Sequence, residues 1–518
     1  MMRGKSKLIK LAVVISTLVL CLTLLSGCFS IKQVFAPDGA ATVTDGFSEP
    51  TDAQKKAFFD GVAAVLLKTV QHSNTISQAM ATDYLNLQTD DTAAGYTTET
   101  VHMTSPQKAS SDVTMTTESI RNSETGDAAL LTVNQKGGTT HKSSLFFISN
   151  MMYLQKDSGQ PMIRHMLDTQ VAASFKELPA MTRFLRILDD TNAPKMTDDA
   201  WKADINGYCS AVDDISNGPD IITSSENNTF AGVNVTCAAK TLTLRGENAL
   251  SAVRSLLSLL GQDAALKASF NTYLMTDGGQ YGVTGFDGMI RDIDALTTEG
   301  RNSAVLTIKL VTADAPTGLH LLLKAGEKTF SLDLSFYEKD GIRSDSVSFA
   351  GFDGSRVFMK AENAQANGGQ PQGSLIYDVL SPGGKPQENL TVTTLGSAQD
   401  ITAQISYVHV ATADIGEKII KGQMRTQRTE NGDTTQMISN GSFQVRDEHG
   451  SRTVILDKTR TQTDKAPPIT APAFTVGSDI STSGQAGLDK ALGDFDGPSY
   501  ALAPPSTRWQ AVYMLLMS

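Results

Sequence analysis

A chain of 518 residues with 44 Lys and Arg against 55 Asp and Glu carries a net charge of −11. That balance argues against nucleic acid as a partner, because phosphate binding needs clustered positive charge. The 40% apolar and 19% charged content is that of a folded protein, not of a disordered one.

The chain opens with "MMRGKSKLIK", four basic residues and no acid, followed by the apolar run Leu11 to Leu25. A basic start, an apolar middle of about 15 residues and small residues at its exit are the parts of a secretory signal. The run is shorter than the roughly 20 residues a spanning helix needs, which leaves a retained anchor helix as the weaker alternative. The exit reads Leu25-Ser26-Gly27-Cys28, and this stretch resembles the lipobox of bacterial lipoproteins. The resemblance implies that Cys28 receives a diacylglycerol thioether, becomes the first residue after cleavage and anchors the chain on the extracytoplasmic side of the cell membrane. Two acyl chains, at about 0.8 kcal/mol per buried methylene, hold far better than one. Cleavage would remove residues 1–27 and leave 40 basic against 55 acidic residues, a net charge of −15.

Residues 28–50 lack a sustained period and carry Pro, Gly and Asp, as a tether does. As a flexible coil such a segment reaches roughly 25 Å. Thr51 and Asp52 then suit a helix start, and Phe58, Val62, Val65, Leu66 and Thr69 recur at helical spacing. From Tyr96 the texture changes to alternation in "YTTETVHMT" and "VTMTTESI", which predicts strands. Gly137-Gly138 and Ser149-Asn150 punctuate a meander of short hairpins. Further on, "FAGVNVTCAAKTLTLRG" reads as strand and "ENALSAVRSLLSLLG" as a helix stopped by Gly261. A second helix is expected to carry Leu266, Phe270 and Leu274. From Ala304 to Thr463 the pattern is almost wholly β, with Asp340-Gly341, Asn431-Gly432 and Asn440-Gly441 as hairpin turns. The segment after Lys465 is rich in Pro, Gly and Ser, the composition of a tail.

The expected organisation is a signal over 1–27, a tether over 28–50, an α+β domain over 51–300, an antiparallel β domain over 301–464 and a tail over 465–518. The expected fold class is α+β and β-dominated: long antiparallel meanders, as curved sheets or a half-barrel, with helices packed on one face. With Cys21 removed and Cys28 lipidated, Cys209 and Cys237 remain. They form either a disulfide, as an oxidising exterior permits, or two buried thiols.

No catalytic or metal motif appears. The seven histidines are scattered, without the paired spacing of a zinc protease. No Walker loop, nucleophile elbow or dinucleotide fingerprint is present. "DDISNGPD", Asp213 to Asp220, is loosely calcium-like, but Ile215 stands where an oxygen ligand is needed, so a solvated turn is the expectation. Asp494 and Asp496 in the tail are weaker still. No enzyme, metal or cofactor is predicted.

The order of lipobox, tether, helix and meander is similar to a broad group of bacterial lipoproteins. In "LFFISNMMYLQKDSGQPMIRHM" and "VNVTCAAKTLTLRGENALSAVRSLLSLLGQDAALK" it resembles the LolA-like and LppX-like lipid carriers. That resemblance implies a membrane-anchored, non-enzymatic binding protein for a hydrophobic or envelope ligand. Phe146, Met151, Met152, Leu154, Leu256 and Leu257 are candidate lining residues. The alternative is a structural or protein-interaction component of the cell surface, using its sheet edges or Thr-rich face.

Overall fold

Strict alternation of apolar and polar side chains permits only strands with one buried face. A computed structural model describes residues 52–479, except 74–94, 107–111, 156, 158–161, 175, 177–179, 181–182, 184–197, 217–220, 263–285, 366–370, 398, 412–415, 449 and 473–476. Cys28, the lipobox, the tether, the helix expected around Leu266 and the end of the tail lie outside the described residues.

The first strands are β1 (Gly95–Thr104), β2 (Val113–Arg121), β3 (Ala128–Lys136), β4 (Thr139–Ile148), β5 (Met151–Gln155) and β6 (Met162–Met166). A second run holds β7 (Ile222–Phe230), β8 (Val233–Arg245), β9 (Val305–Thr312), β10 (Pro316–Ala325), β11 (Lys328–Lys339), β12 (Ile342–Ala350) and β13 (Arg356–Gln365). It continues through β14 (Pro371–Ser381), β15 (Lys385–Gly396), β16 (Asp400–His409), β17 (Lys418–Asn431), β18 (Thr434–Asp447) and β19 (Gly450–Thr463). A short β20 (Gly477–Asp479) comes last. The described helices are α1 (Asp52–Ser73), α2 (Thr169–Ser174), α3 (Asp198–Ile215), α4 (Gly246–Leu260), α5 (Phe286–Asp294) and α6 (Thr298–Asn302).

All 20 strands belong to one sheet. From β7 to β19 each strand pairs antiparallel with the next. The last of these then pairs with β1, and β1 to β6 continue the meander. Parallel pairing of β20 on β6 ends it.

This overturns the expected fold class. The molecule is not an α+β body with a helical layer on a half-barrel, but one continuous, strand-dominated antiparallel sheet. Its ladders join the expected 51–300 and 301–464 domains twice, between β8 and β9 and between β19 and β1. The described helices make their main contacts with the sheet on β8 to β11. The expectation failed because hairpin texture reveals local pairing and is silent on whether two runs of strands join edge to edge.

One apolar cluster runs along the inner face. It takes Phe58, Val62, Val65 and Leu66 from α1, Leu250, Val253 and Leu257 from α4, Leu319, Leu321 and Leu323 from β10, and Val101, Met103 and Met115 from β1 and β2. Gly61 interrupts the α1 stripe because a Cβ there would collide with the Leu310 side chain of β9. At the β7 end the sheet curls toward its outer face. Phe230 stacks on Tyr337 with ring centroids 4.2 Å apart, and the Ala231 amide donates to Glu362 Oε1 at 2.9 Å.

Asp340-Gly341 makes a turn with positive φ at both residues. Asn440-Gly441, expected as another, instead lies inside β18. The glycine there answers to packing. A Cβ on Gly441 would stand 2.7 Å from Phe443 Cε2, and one on Gly422, on the neighbouring strand, 2.6 Å from Phe443 Cδ1 and closer still to the Ser442 carbonyl. Phe443 is fully buried, so its ring fills the space both glycines leave open. Gly422→Ala must displace backbone as well as side chain. It is expected to cost about 1–3 kcal/mol, as overpacking does, seen as a lower urea midpoint at unchanged slope.

Candidate functional site

A sheet buries polar side chains on its inner face only where they find partners or serve a purpose. Here they do so in a row. Thr426 of β17 faces Ser439 of β18, which faces Lys458 of β19. Arg460, two residues along β19, faces Glu99 of β1. Glu99 faces Thr117, Thr117 faces Thr132, and Thr132 faces Ser143 of β4. Every one of these residues is buried, none more than 4% exposed.

The row is ordered by charge. Lys458 Nζ and Glu99 Oε2 stand 2.7 Å apart, each side chain 4% exposed. The Thr426 and Ser439 hydroxyls share a hydrogen bond of 2.8 Å. By contrast, the Thr117 and Thr132 hydroxyls are buried without a hydrogen-bond partner. Each such orphan costs about 1–3 kcal/mol.

The row also divides two apolar regions. On one side Val101, Met103, Met115 and Leu456 belong to the main cluster. On the other, Leu130, Leu145, Phe147, Met152 and Leu154 are buried but stand outside that cluster. Arg183 lies over the Phe147 ring at 5.6 Å from its centroid.

The six lining candidates do not come together. Met152 and Leu154 join the second apolar region, while Leu256 and Leu257 sit in the main cluster on α4. Phe146 and Met151 are half-buried, and the two-residue period turns them to the opposite face from Leu145, Phe147 and Met152.

Cys209 and Cys237 are both free and buried, so the disulfide does not form. Cys209 of α3 belongs to the main inner cluster, whereas Cys237 of β8 packs with Phe230, Val311 and Tyr337 in a smaller one. Val311 alternates with the inward Leu310 on β9, so the smaller cluster lies on the other face. Burial pushes the Cys209 thiol up to about 12 and raises that of Cys237. The calcium-like segment is also resolved differently: Asp213 and Asp214 end helix α3, and residues 217–220 lie outside the described residues. Among the described residues no three of His, Cys, Asp or Glu form a metal-binding group.

Sequence reasoning missed the buried row. Its Thr-rich strands suggested a wetted face, and nothing local marks Thr117 and Thr132 as inward. The one usable signal is phase: Glu99 shares parity with Val101 and Met103, and Thr117 with Met115 and Val113.

No family model matches the chain and no curated protein aligns with it. Among solved structures, OccK10 (OpdN) of Pseudomonas aeruginosa is 9% identical, with a TM-score of 0.25 over 71% of this chain and 98% of its own. OccK5 (OpdH) of the same organism is 7% identical, with a TM-score of 0.25 over 71% of this chain and 97% of its own. The outer membrane channel DcaP of Acinetobacter baumannii is 6% identical, with a TM-score of 0.21 over 71% and 95%. Likeness at this level assigns neither a fold nor a function.

Two measurements check the site. Glu99→Gln removes the negative charge beside the buried Lys458 ammonium, and should cost about 3–5 kcal/mol; Glu99→Met with Lys458→Met should recover much of that loss. Thiol titration in denaturant without reductant should find both Cys209 and Cys237 free, and in the native protein neither should react within minutes.

Proposed function

We propose that the chain is a lipid-anchored extracytoplasmic binding protein, held to the cell membrane through Cys28, that takes an amphiphilic envelope ligand on the inner face of its sheet. It is a non-enzymatic protein on this reading. The supporting observation is the pair of orphaned hydroxyls on Thr117 and Thr132 beside the buried Glu99–Lys458 pair. A polar group placed there would complete their hydrogen bonding. The apolar regions flanking the row would receive the rest of an amphiphile on either side.

Threonine and valine share a shape, which makes the reading testable. Removing an idle hydroxyl relieves its desolvation and is neutral or stabilising. Thr117→Val/Thr132→Val should therefore fold at least as stably as the parent. Native mass spectrometry of the gently extracted parent should show an amphiphile of defined mass, depleted in the variant. A ligand-free parent, or a variant that retains the ligand in full, would reject the site. The anchor has its own test. Cys28→Ala should leave the membrane fraction and lose its acyl mass, whereas an unmodified chain still starting at Met1 would refute the lipidation.

A further inference from the structure

Away from the buried row, a half-open cavity of about 180 Å³ lies where α1 meets the β9–β10 turn and the ends of β11 and β12. Lys68, Thr317, Phe336, Arg343 and Asp345 are among its walls. A water molecule takes about 30 Å³ of liquid, so the space equals about six waters, or a solute of about six to ten heavy atoms. It falls below the roughly 300 Å³ at which ligand pockets for larger molecules begin.

The charges around it are balanced. Lys68, Lys339 and Arg343 supply three cations, and Asp314, Glu338 and Asp345 three anions. Lys339 is held by Asp314 at 2.6 Å at the exposed rim. Arg343 and Asp345 stand 3.2 Å apart on β12, where Asp345 is buried. Lys68, on the helix side, makes no ion pair among the described residues; its ammonium donates to the Pro316 carbonyl, at a long 3.4 Å. Phe336 presents a buried aromatic side chain between these walls.

From this arrangement we infer a second binding site, for a small, electrically neutral zwitterion of the free α-amino acid class. Its carboxylate is taken by Lys68, its ammonium by Asp345, and its short side chain rests on Phe336. A net-neutral lining disfavours a dianion or a dication, because either would leave like charges facing one another. An ammonium near an aromatic face gains further from the ring quadrupole. The inference is independent of the amphiphile reading, since it uses other strands.

Isothermal titration calorimetry on the full mature chain in detergent tests it, with L-serine and L-valine as probes. Saturable binding is expected for both or for one. L-serine methyl ester, which lacks the carboxylate, and N-acetyl-L-serine, which lacks the ammonium, should bind at least about tenfold more weakly. Lys68 is half-buried on a helix surface, so Lys68→Ala should keep its melting temperature and lose about tenfold or more in affinity. Asp345→Asn should weaken binding likewise. No saturable binding of either amino acid, equal binding of ester or acetyl derivative, or full affinity in Lys68→Ala would each overturn the assignment. Thr117→Val/Thr132→Val should leave this binding unchanged, which separates failure here from failure of the amphiphile site.

Discussion

The ladder between β1 and β19 is the constraint on which the rest depends. It pairs Tyr96 with Thr463 and continues through Thr104 and Ile455, joining positions as much as 367 residues apart. Closing so long a loop costs entropy before any contact rewards it, although that cost grows only with the logarithm of length. What the ladder returns is continuity. Without it β1 and β19 would be two open edges, and an unpaired edge is a template for aggregation. With it, the apolar inner faces of the two runs become one cluster from Leu242 to Met115.

The same ladder creates the buried row. Lys458 and Arg460 belong to one end of the chain and Glu99 to the other, and only this register brings them together. Desolvating two charges costs several kcal/mol each, and their attraction offsets that only with good geometry and further hydrogen bonds. A well-packed apolar pair would serve stability as well or better. A row that keeps an ion pair and two idle hydroxyls between two apolar regions is therefore poorly explained by stability alone.

Much of the local structure was legible in the sequence. The alternation of Phe330, Leu332, Leu334 and Phe336 gives β11 its buried face, and the stripe of Leu250, Val253, Leu257 and Leu260 gives α4 its own. Gly261 ends that helix, its amide bonding back to the Leu257 carbonyl at 3.0 Å. Two things were not legible. Helix α3 escaped notice because its apolar residues, Trp201, Ile205, Tyr208 and Val212, are diluted by Asp, Lys and Asn. Strand β7, "ITSSENNTF", is nearly all polar, because its side chains are largely solvated and its place is set by the partner β8 and the Phe230–Tyr337 stack. Buried polar positions are harder still, since their meaning lies in the register of strands hundreds of residues apart.

The two ends of the sheet meet the edge problem differently. Among the described residues β7 pairs only with β8, and the curl of its hairpin toward β12 and β13 turns that edge back on the molecule. At the other end β6 is covered by β20, the one parallel pairing among the described residues, three residues long. Arg164 and Asp479 pair across it at the surface. Exposed ion pairs are worth about 0–1 kcal/mol, and three paired residues add little, so this cover is the weakest join in the sheet. Its position is the telling part. The segment that supplies β20 follows β19 directly, yet it reaches past β1 to β5 to pair with β6. A short strand that crosses the sheet to pair with β6 serves to close an edge that would otherwise stay open.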